Sequence, residues 1–342
     1  MIIKKGTAFF MLLAGLCMAD NSAVCAKKTD KIVLAYVTSW SKTVPDPALV
    51  THINYAFGHV NNTFDGVRID NESRLSEIAA LKHQKPTLKI MLSIGGWGSG
   101  RFSEMAADPA KRQRFAADCK RVLTQFDLDG IDIDWEFPTS AMAKISASPA
   151  DTDNFTLLMR DIRKAIGRRK LLTLASNASA KYINFRDINQ YVNFVNIMSY
   201  DMGGAPKHHS ALYRSENTGW MCADEAVDAH IDAGIAPKKL TLGLPFYGRG
   251  TKEIGNFLDF KRIKNIAENY TEKWDDVSKT PYMVNAEGTI VLSYENVRSI
   301  EIKCKYLHDR GLLGAMYWDY DGDDDSNTLR KAVYDNVMQP VQ

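Results

Sequence analysis

Eight short apolar segments, separated by helical patterns, constrain the possible folds more than any other feature of this sequence. We predict strands at residues 31–37, 50–60, 88–94, 129–136, 171–176, 192–200, 240–245 and 313–318. Helical patterns cover residues 72–85, 101–125, 153–166, 185–190, 222–233, 297–310 and 328–338. Such alternation is typical of parallel sheets covered by helices. The α/β pattern with eight strands predicts one (β/α)8 TIM barrel, with a doubly wound open sheet as the alternative, because strand count alone does not prove closure.

Residues 249–292 interrupt this alternation after the seventh predicted strand. The segment is polar, has no long periodic run and contains Trp274, Pro281 and Tyr282. We interpret it as a small excursion from the barrel of mixed α and β structure. Residues 27–342 are thus predicted to form a single (β/α)8 domain with a short insertion at about 249–292.

The N-terminal segment has the features of a secretory signal. Two lysines precede an apolar run at residues 7–19, and small residues suited to cleavage end at Ala26. The run is too short for a membrane anchor. We therefore predict a signal peptide at residues 1–26 and a secreted or periplasmic protein. Attachment to lipid through Cys17 is a weaker alternative, because Leu16 is a poor match to the small residue expected before it.

Composition and charge exclude several classes of partner. The formal net charge of the 342 residues is +2 and the charge blocks are short and mixed in sign, so we expect no nucleic-acid partner. Cys119, Cys222 and Cys304 have the spacing of neither a disulfide framework nor a zinc site. The acidic run at 321–325 lacks the full spacing of a calcium loop, and the pair at 208–209, two histidines in a polar loop, is expected to be exposed. No Gly-x-Gly-x-x-Gly motif follows the first strand. We predict no metal and no cofactor, and we expect a monomer.

The fourth predicted strand, residues 129–136, carries an unusual row of acids. Side chains alternate between the two faces of a strand, so Asp132, Asp134 and Glu136 share one face and the apolar residues between them share the other. Aspartate is depleted in strands, so a simple solvated strand explains this pattern poorly. Crowded carboxylates cannot all ionise, and at least one retains its proton. Glu136, at the end of the row, is the best candidate for a general acid.

Most of the other predicted strands also end in residues that could contact a ligand. In a TIM barrel the carboxyl ends of the strands meet at one face, where active sites lie. These strand ends are Trp40, Phe57, Gly95-Gly96, Glu136, Ser176-Asn177, Tyr200-Asp201, Phe246-Tyr247 and Trp318-Asp319. Because sugar rings stack on aromatic faces and sugar hydroxyls need polar partners, aromatic residues around aligned carboxylates predict a sugar site.

At this point the chain resembles glycoside hydrolase family 18, the chitinases and their relatives. Residues 129–136, Asp-Gly-Ile-Asp-Ile-Asp-Trp-Glu, are similar to the family signature DGxDxDWE without a substitution. Residues 93–96 resemble its SxGG motif and residues 198–201 its MxYD motif. Residues 243–249 are similar to the end of the family's seventh strand, and Trp318 stands where the family keeps a tryptophan under the central sugar. The resemblance covers nearly the whole mature chain.

The resemblance implies a retaining mechanism in which the substrate's own 2-acetamido group is the nucleophile. Glu136 would protonate the glycosidic oxygen and later act as base. Asp134 would accept a hydrogen bond from the acetamido N–H, and Asp132 would share a proton with Asp134. Tyr200 would donate a hydrogen bond to the acetamido oxygen, and Asp201 would bind the sugar nearby. Further substrate-binding residues would be Tyr36, Phe57, Gly96, Trp97, Met198, Tyr247, Arg249 and Trp318.

This chemistry requires an N-acetylated sugar at the cleavage site. The implied partner is chitin, a chitooligosaccharide or another glycan that contains N-acetylglucosamine. The leading hypothesis is a secreted, endo-acting chitinase. One alternative is an endo-β-N-acetylglucosaminidase that cuts the chitobiose core of N-glycans. The other is a chitin-binding lectin that has the barrel but no catalysis.

Overall fold

A closed barrel of eight parallel strands forms the centre of the molecule in the computed structural model, which describes residue 2 and residues 30–338. The predicted signal segment, apart from residue 2, lies outside the described residues. The barrel strands, numbered one to eight in chain order, are Ile32–Thr38, His52–Val60, Lys89–Gly95, Gly130–Asp134, Leu171–Asn177, Phe194–Met198, Leu240–Pro245 and Gly314–Trp318. Strand one pairs in parallel with both strand two and strand eight, which closes the sheet. The predicted (β/α)8 barrel is confirmed, and the open sheet is excluded.

Side chains of the barrel strands alternate between two apolar layers. In strand one, Val33 and Ala35 belong to the main core, which also contains the apolar faces of the surrounding helices. Leu34 and Tyr36 point the other way and pack inside the barrel with Met316. Every residue of this strand is buried, because one face is covered by helices and the other by the barrel interior. This is why the strands read as continuous apolar runs in the sequence.

Helices follow the barrel strands and cover them. Their bounds are Glu72–Ala79, Phe102–Ala107, Pro109–Gln125, Asp151–Ile166, Phe185–Ile188, Ala223–Asp232, Val297–Asp309 and Thr328–Met338. The single helix predicted at 101–125 is wrong, because two helices meet at Asp108. The Asp108 carboxylate accepts hydrogen bonds from the N–H groups of Ala110 and Lys111, and Pro109 occupies the first helical position, so a new helix starts there. No helix within the described residues is long and apolar enough to span a membrane.

The excursion after strand seven is a small α+β unit, as predicted. Five short strands form an antiparallel sheet: Tyr247–Gly250, Leu258–Asp259, Thr271–Asp275, Thr280–Val284 and Ile290–Ser293. A short helix, Phe260–Ile263, follows the second of them. Leu258, Ile263, Met283 and Leu292 form part of a separate apolar cluster. The insertion therefore has its own core, although each of its strands is too short to show a clear periodic pattern. A further short strand, Val67–Ile69, pairs antiparallel with strand two.

Candidate active site

A cleft with a volume of about 920 Å³ opens where the barrel strands end. Of the predicted site residues, its lining includes Tyr36, Phe57, Trp97, Asp134, Glu136, Met198, Tyr200, Asp201, Tyr247, Arg249 and Trp318. Asp132 and Gly96 do not line the cleft, and both lie against residues that do. The barrel thus brings together side chains that the sequence separates by up to 282 positions, from Tyr36 to Trp318.

The fourth strand supplies the carboxylates. It ends at Asp134, two residues before the predicted end, so Glu136 lies in the loop that follows. Ile131 and Ile133 belong to the main core, so Asp132 and Asp134 point into the barrel, as strand alternation predicts. Glu136 therefore gains its position from the loop as well as from the strand.

Asp132 is fully buried and surrounded by hydrogen-bond donors. Four side chains donate to its two oxygens: Tyr36 Oη at 2.8 Å, Ser93 Oγ at 2.9 Å, Thr173 Oγ1 at 2.5 Å and Asn196 Nδ2 at 3.2 Å. Burial raises the pKa of Asp132, while these hydrogen bonds favour the ionised form. These donors come from four barrel strands, and among the described contacts no hydrogen bond joins Asp132 to Asp134. Asp132 thus forms a polar floor that connects the strands beneath the cleft.

Asp134 retains unused hydrogen-bonding capacity. Its Oδ1 atom is buried and has no hydrogen-bond partner within the described part of the chain. Buried acceptors without partners are rare in proteins, so this oxygen is a candidate acceptor for a donor on a ligand. Burial, together with the negative charges of Glu136 and Asp132, raises the pKa of Asp134 well above its usual value.

Two glycines allow strands two, three and four to approach closely at this point. A Cβ atom on Gly95 would lie 1.9 Å from the carbonyl oxygen of Asp134, and one on Gly96 would lie 2.7 Å from the Phe57 ring. Both residues have positive φ angles, of 132° and 90°, that side chains disfavour. The Gly96 N–H also donates to the Asp134 carbonyl at 2.8 Å. Gly96 thus supports the positions of Phe57 and Asp134.

Glu136 is poised to remain protonated at neutral pH. Burial, with the negative charge of Asp201 as the next cause, raises the pKa of Glu136 to about 8. Tyr200 lies in the same electrostatic environment: burial and the charges of Asp134 and Glu136 raise the pKa of its hydroxyl well above the usual value. Near neutral pH the cleft therefore presents a carboxylic acid and a phenol, both able to donate a proton or hydrogen bond.

Asp201 is held as an anion beside these groups. Arg249 Nε donates to Asp201 Oδ1 at 2.7 Å, and the Tyr247 hydroxyl donates to the same atom at 2.8 Å. His209 Nδ1 lies 3.5 Å from that oxygen. Burial would raise the pKa of Asp201, but the hydrogen bonds and charges of His209 and Arg249 hold it well below its usual value. Asp201 is therefore ionised at neutral pH and places a negative charge near Glu136.

Aromatic side chains line the cleft in two groups. The first contains Trp318, whose ring centroid lies 5.6 Å from that of Tyr36 and 5.7 Å from that of Phe57, and Trp40, 6.5 Å from Phe57. The second contains Trp97, Phe137 and Tyr182. The Trp97 and Phe137 centroids lie 6.5 Å apart, while Phe137 and Tyr182 stack in parallel at 5.0 Å.

Several of these rings are unusually exposed for apolar side chains. Trp40 is 65% exposed, Trp97 62% and Trp220, also on the cleft, 54%. Exposed aromatic faces concentrated in one cleft indicate a ligand with flat apolar faces, such as a sugar.

Sequence reasoning did not identify a further set of cleft residues. They include Phe137, Met142, Lys181, Tyr182, Trp220, Asn256 and Phe257, and Trp40 and Asn177 were noted only as strand ends. Most lie in irregular loops or in the insertion, where tertiary contacts fix side-chain positions. The Tyr182 carbonyl, for example, accepts a hydrogen bond at 3.0 Å from Thr152 Oγ1, which belongs to the helix Asp151–Ile166. Trp220 could have been noticed as an isolated aromatic residue in a polar loop.

The expectation that His208 and His209 are exposed is wrong. Both are fully buried, because the loop that carries them lies under the insertion. His208 Nε2 lies 3.1 Å from Asp275 Oδ2, and burial lowers the pKa of His208. Asp275 also accepts a hydrogen bond at 2.8 Å from Ser215 Oγ. The insertion thus holds residues 208–215 in place, and the Met202 N–H donates to the His209 carbonyl at 2.9 Å.

The remaining polar motifs have structural contacts. Asp323 is buried and accepts hydrogen bonds from the N–H and Nε of Arg330 at 2.9 and 3.0 Å, which ties the acidic run to the last helix. Cys119, Cys222 and Cys304 are buried free thiols. Within residues 30–338, no group of three histidine, cysteine or acidic side chains is arranged to hold a metal ion.

Comparison with known proteins assigns the family. The model of glycosyl hydrolases family 18 matches residues 32–323. Chitinase A1 of Niallia circulans is 31% identical, with 88% of this chain aligned to 57% of that protein, so the chain spans a little over half its length. Chitinase ChiW of a Paenibacillus species has a TM-score of 0.84 at 29% identity, covering 90% of this chain and 43% of that one. A family 18 N-acetylglucosaminidase from Paenibacillus barengoltzii has a TM-score of 0.81 at 32% identity, covering 90% and 99%. The chain therefore belongs to glycosyl hydrolases family 18.

Proposed function

We propose that this protein is an exported, endo-acting chitinase that hydrolyses β-1,4 linkages between N-acetylglucosamine units with retention of configuration. The observation that carries the proposal is Glu136, whose pKa of about 8 keeps it protonated in a cleft beside Asp134 and Tyr200. A protonated carboxyl is the group that a glycosidic oxygen needs as it leaves. Chitinase A1 and chitinase ChiW, the relatives named above, support chitin as the substrate class.

In the first step, Glu136 donates its proton to the glycosidic oxygen while the bond from that oxygen to the anomeric carbon breaks. The carbonyl oxygen of the sugar's own acetamido group forms a new bond to that carbon, giving a cyclic oxazolinium ion. The unpartnered oxygen of Asp134 accepts a hydrogen bond from the acetamido N–H, which stabilises the positive charge that develops on this group. The Tyr200 hydroxyl donates to the acetamido oxygen and directs it towards the anomeric carbon.

In the second step, water attacks the anomeric carbon and the ring of the intermediate opens. The Glu136 carboxylate takes the proton from this water, which restores the acid for the next cycle. Two displacements at the same carbon give a product with the β configuration of the substrate. No carboxylate nucleophile is needed, which agrees with the role of Asp132 as a hydrogen-bonded floor rather than a cleft residue.

The aromatic lining supports binding of several sugars. Trp318 is assigned to the sugar at the cleavage point, and the exposed rings of Trp40, Trp97 and Trp220 to neighbouring units. A volume of about 920 Å³ is at the upper end for small-molecule sites and accommodates more than a single sugar. This supports action within a chain. We also propose that residues 1–26 direct export and are removed, which would place the enzyme where polymeric glycans are found.

The test is a timed product analysis of the chain without residues 1–26. N-acetylated chitotetraose and its de-N-acetylated counterpart are supplied in parallel, and the anomeric form of the first products is measured. Cleavage of the acetylated substrate alone, with β products, is expected. Glu136→Gln should lower turnover by roughly 10²- to 10⁴-fold while binding is retained.

With a high-mannose glycopeptide as a third substrate, other outcomes would overturn the proposal. Cleavage of a high-mannose glycopeptide without cleavage of chitotetraose would replace chitin by N-glycans. Binding of chitotetraose without any hydrolysis would indicate a lectin. Equal cleavage of the de-N-acetylated tetramer would exclude participation of the acetamido group.

A further inference from the structure

Lys181 places a positive charge on the cleft, in a position that the proposed reaction does not use. Its Nζ atom lies 4.9 Å from the centroid of the Tyr182 ring. Tyr182 stacks on Phe137 with an angle of 6° between the ring planes, and Phe137 directly follows Glu136 in the chain. The ammonium group therefore contacts a two-ring stack whose other ring belongs to the residue directly after the proposed acid.

This charge has no counter-ion among the described residues. Lys181 and Arg249 are the cationic side chains in the described cleft lining. Arg249 is neutralised by its hydrogen-bonded ion pair with Asp201. Lys181 has no carboxylate oxygen within 4.0 Å in residues 30–338, and its side chain is exposed. An unpaired ammonium acts on charges that a ligand brings into the cleft.

The ring beneath Lys181 is fixed in place. Thr152 Oγ1, at the start of the helix Asp151–Ile166, donates to the Tyr182 carbonyl at 3.0 Å. Phe137 stacks on the Tyr182 ring with the two ring centroids 5.0 Å apart. The cation–π contact with this ring favours positions of the Lys181 ammonium close to the ring surface. Phe137, Lys181 and Tyr182 line the same cleft as Glu136, so a sugar chain bound along these two rings passes the ammonium.

We propose that Lys181 is a specificity-determining residue that selects against sugar units with a free amine where the glycan passes Tyr182. The 2-acetamido group of N-acetylglucosamine is neutral. The free amine of glucosamine carries a proton and a positive charge at acidic pH, so the ammonium of Lys181 repels it. Two like charges a few Å apart near solvent repel by an amount equivalent to about a fivefold change in affinity. The inference rests on the proposed chitinase function and defines its substrate range.

The test compares two substrates in the wild-type enzyme, Lys181→Gln and Lys181→Glu. One is a fully N-acetylated chitohexaose, and the other is a chitosan in which acetylated and free-amine units are mixed. Reactions run at about pH 5, where an amine is protonated. The ratio of kcat/KM for chitosan to that for the hexamer is measured, and mass spectrometry identifies the units beside each new chain end. Lys120→Glu, on the exposed surface of the helix Pro109–Gln125, is the charge-matched control.

The ratio should increase by about fivefold from wild type to Lys181→Gln, increase further in Lys181→Glu, and stay at the wild-type value in Lys120→Glu. The unit whose acetamido group reacts should be acetylated in the products of every variant. One further position near the cut should be depleted of glucosamine in wild-type products and no longer depleted in Lys181→Glu. Added salt should reduce the wild-type discrimination. An equal ratio in all four proteins would overturn the inference while hydrolysis of the hexamer still supported the proposed function. Failure of the wild type to cleave the hexamer would instead overturn the proposed function itself.

Discussion

Replacement of Asp201 by asparagine should move the alkaline limit of activity to lower pH. The acid form of Glu136 is present below its pKa of about 8, so kcat/KM should fall as pH rises through that value. The negative charge of Asp201 is the second cause of this raised pKa, after burial. Asp201→Asn removes that charge and leaves Arg249 without its counter-ion. Both effects favour ionised Glu136 and therefore lower its pKa.

The size of the effect follows from the order of the two causes. Together they raise the pKa of Glu136 from 4.5 to about 8, and burial is the larger. Asp201 therefore accounts for less than half of the rise, and the substitution leaves burial unchanged. We expect the pH at half-maximal kcat/KM on the alkaline side to fall by about 1 unit. This corresponds to about 1.4 kcal/mol in the free energy of ionisation of Glu136.

The assay is kcat/KM for a fluorogenic chitooligosaccharide, measured across the alkaline range. The pH at half-maximal kcat/KM is independent of how much the substitution lowers the maximum, so loss of substrate contacts does not obscure the result. Asp309→Asn is the control, because it removes one exposed carboxylate whose described ion pair is with Lys305, and neither residue lines the cleft. If the pH at half-maximal kcat/KM is unchanged in Asp201→Asn, or falls equally in the control, the charge of Asp201 does not raise the pKa of Glu136 and the reasoning is refuted.

Two further predictions concern binding and stability. Trp97→Ala removes an exposed ring that contacts Phe137. The KM for chitooligosaccharides should therefore rise about two- to tenfold, with kcat and the melting temperature nearly unchanged. A fall in kcat alone would contradict a binding role for Trp97. Asp161→Asn leaves Arg112, a buried cation 2.9 Å from Asp161, without its counter-ion, so the free energy of unfolding should fall by about 3–5 kcal/mol. Urea denaturation checks this, with the exposed Asp309→Asn as reference. Equal decreases in the free energy of unfolding in the two variants would show that the buried pair stabilises the protein no more than an exposed one.

The sequence predicted the barrel well because each strand is buried on both faces. Continuous apolar runs mark such strands, and the seventh, Leu240–Pro245, has the predicted bounds. The face shared by Asp132 and Asp134 also followed from alternation alone. The break at Asp108 was missed because the apolar positions continue on both sides of it, and only the capping carboxylate and Pro109 mark the new helix start.

Other features depend on contacts that a linear pattern does not contain. The burial of His208 results from Asp275, 67 positions later, in a segment that itself reads as irregular. The Tyr182 stack and the position of Lys181 depend on a loop held by a neighbouring helix. The row of Asp132, Asp134 and Glu136 could thus be predicted from one strand, whereas cleft residues in irregular loops, such as Lys181 and Tyr182, could not.

The buried contact between His208 and Asp275 limits how the insertion could be exchanged between related enzymes. The insertion's strands Thr271–Asp275 and Ile290–Ser293 hold residues 208–215, and that segment bonds to the backbone beside Asp201. A chimera in which a longer insertion from a relative replaced residues 249–292 would also remove Asp275, the partner of His208. Such a chimera would also need the relative's counterpart of residues 208–215, because in this protein that loop and the insertion hold each other in place and would have to be exchanged together.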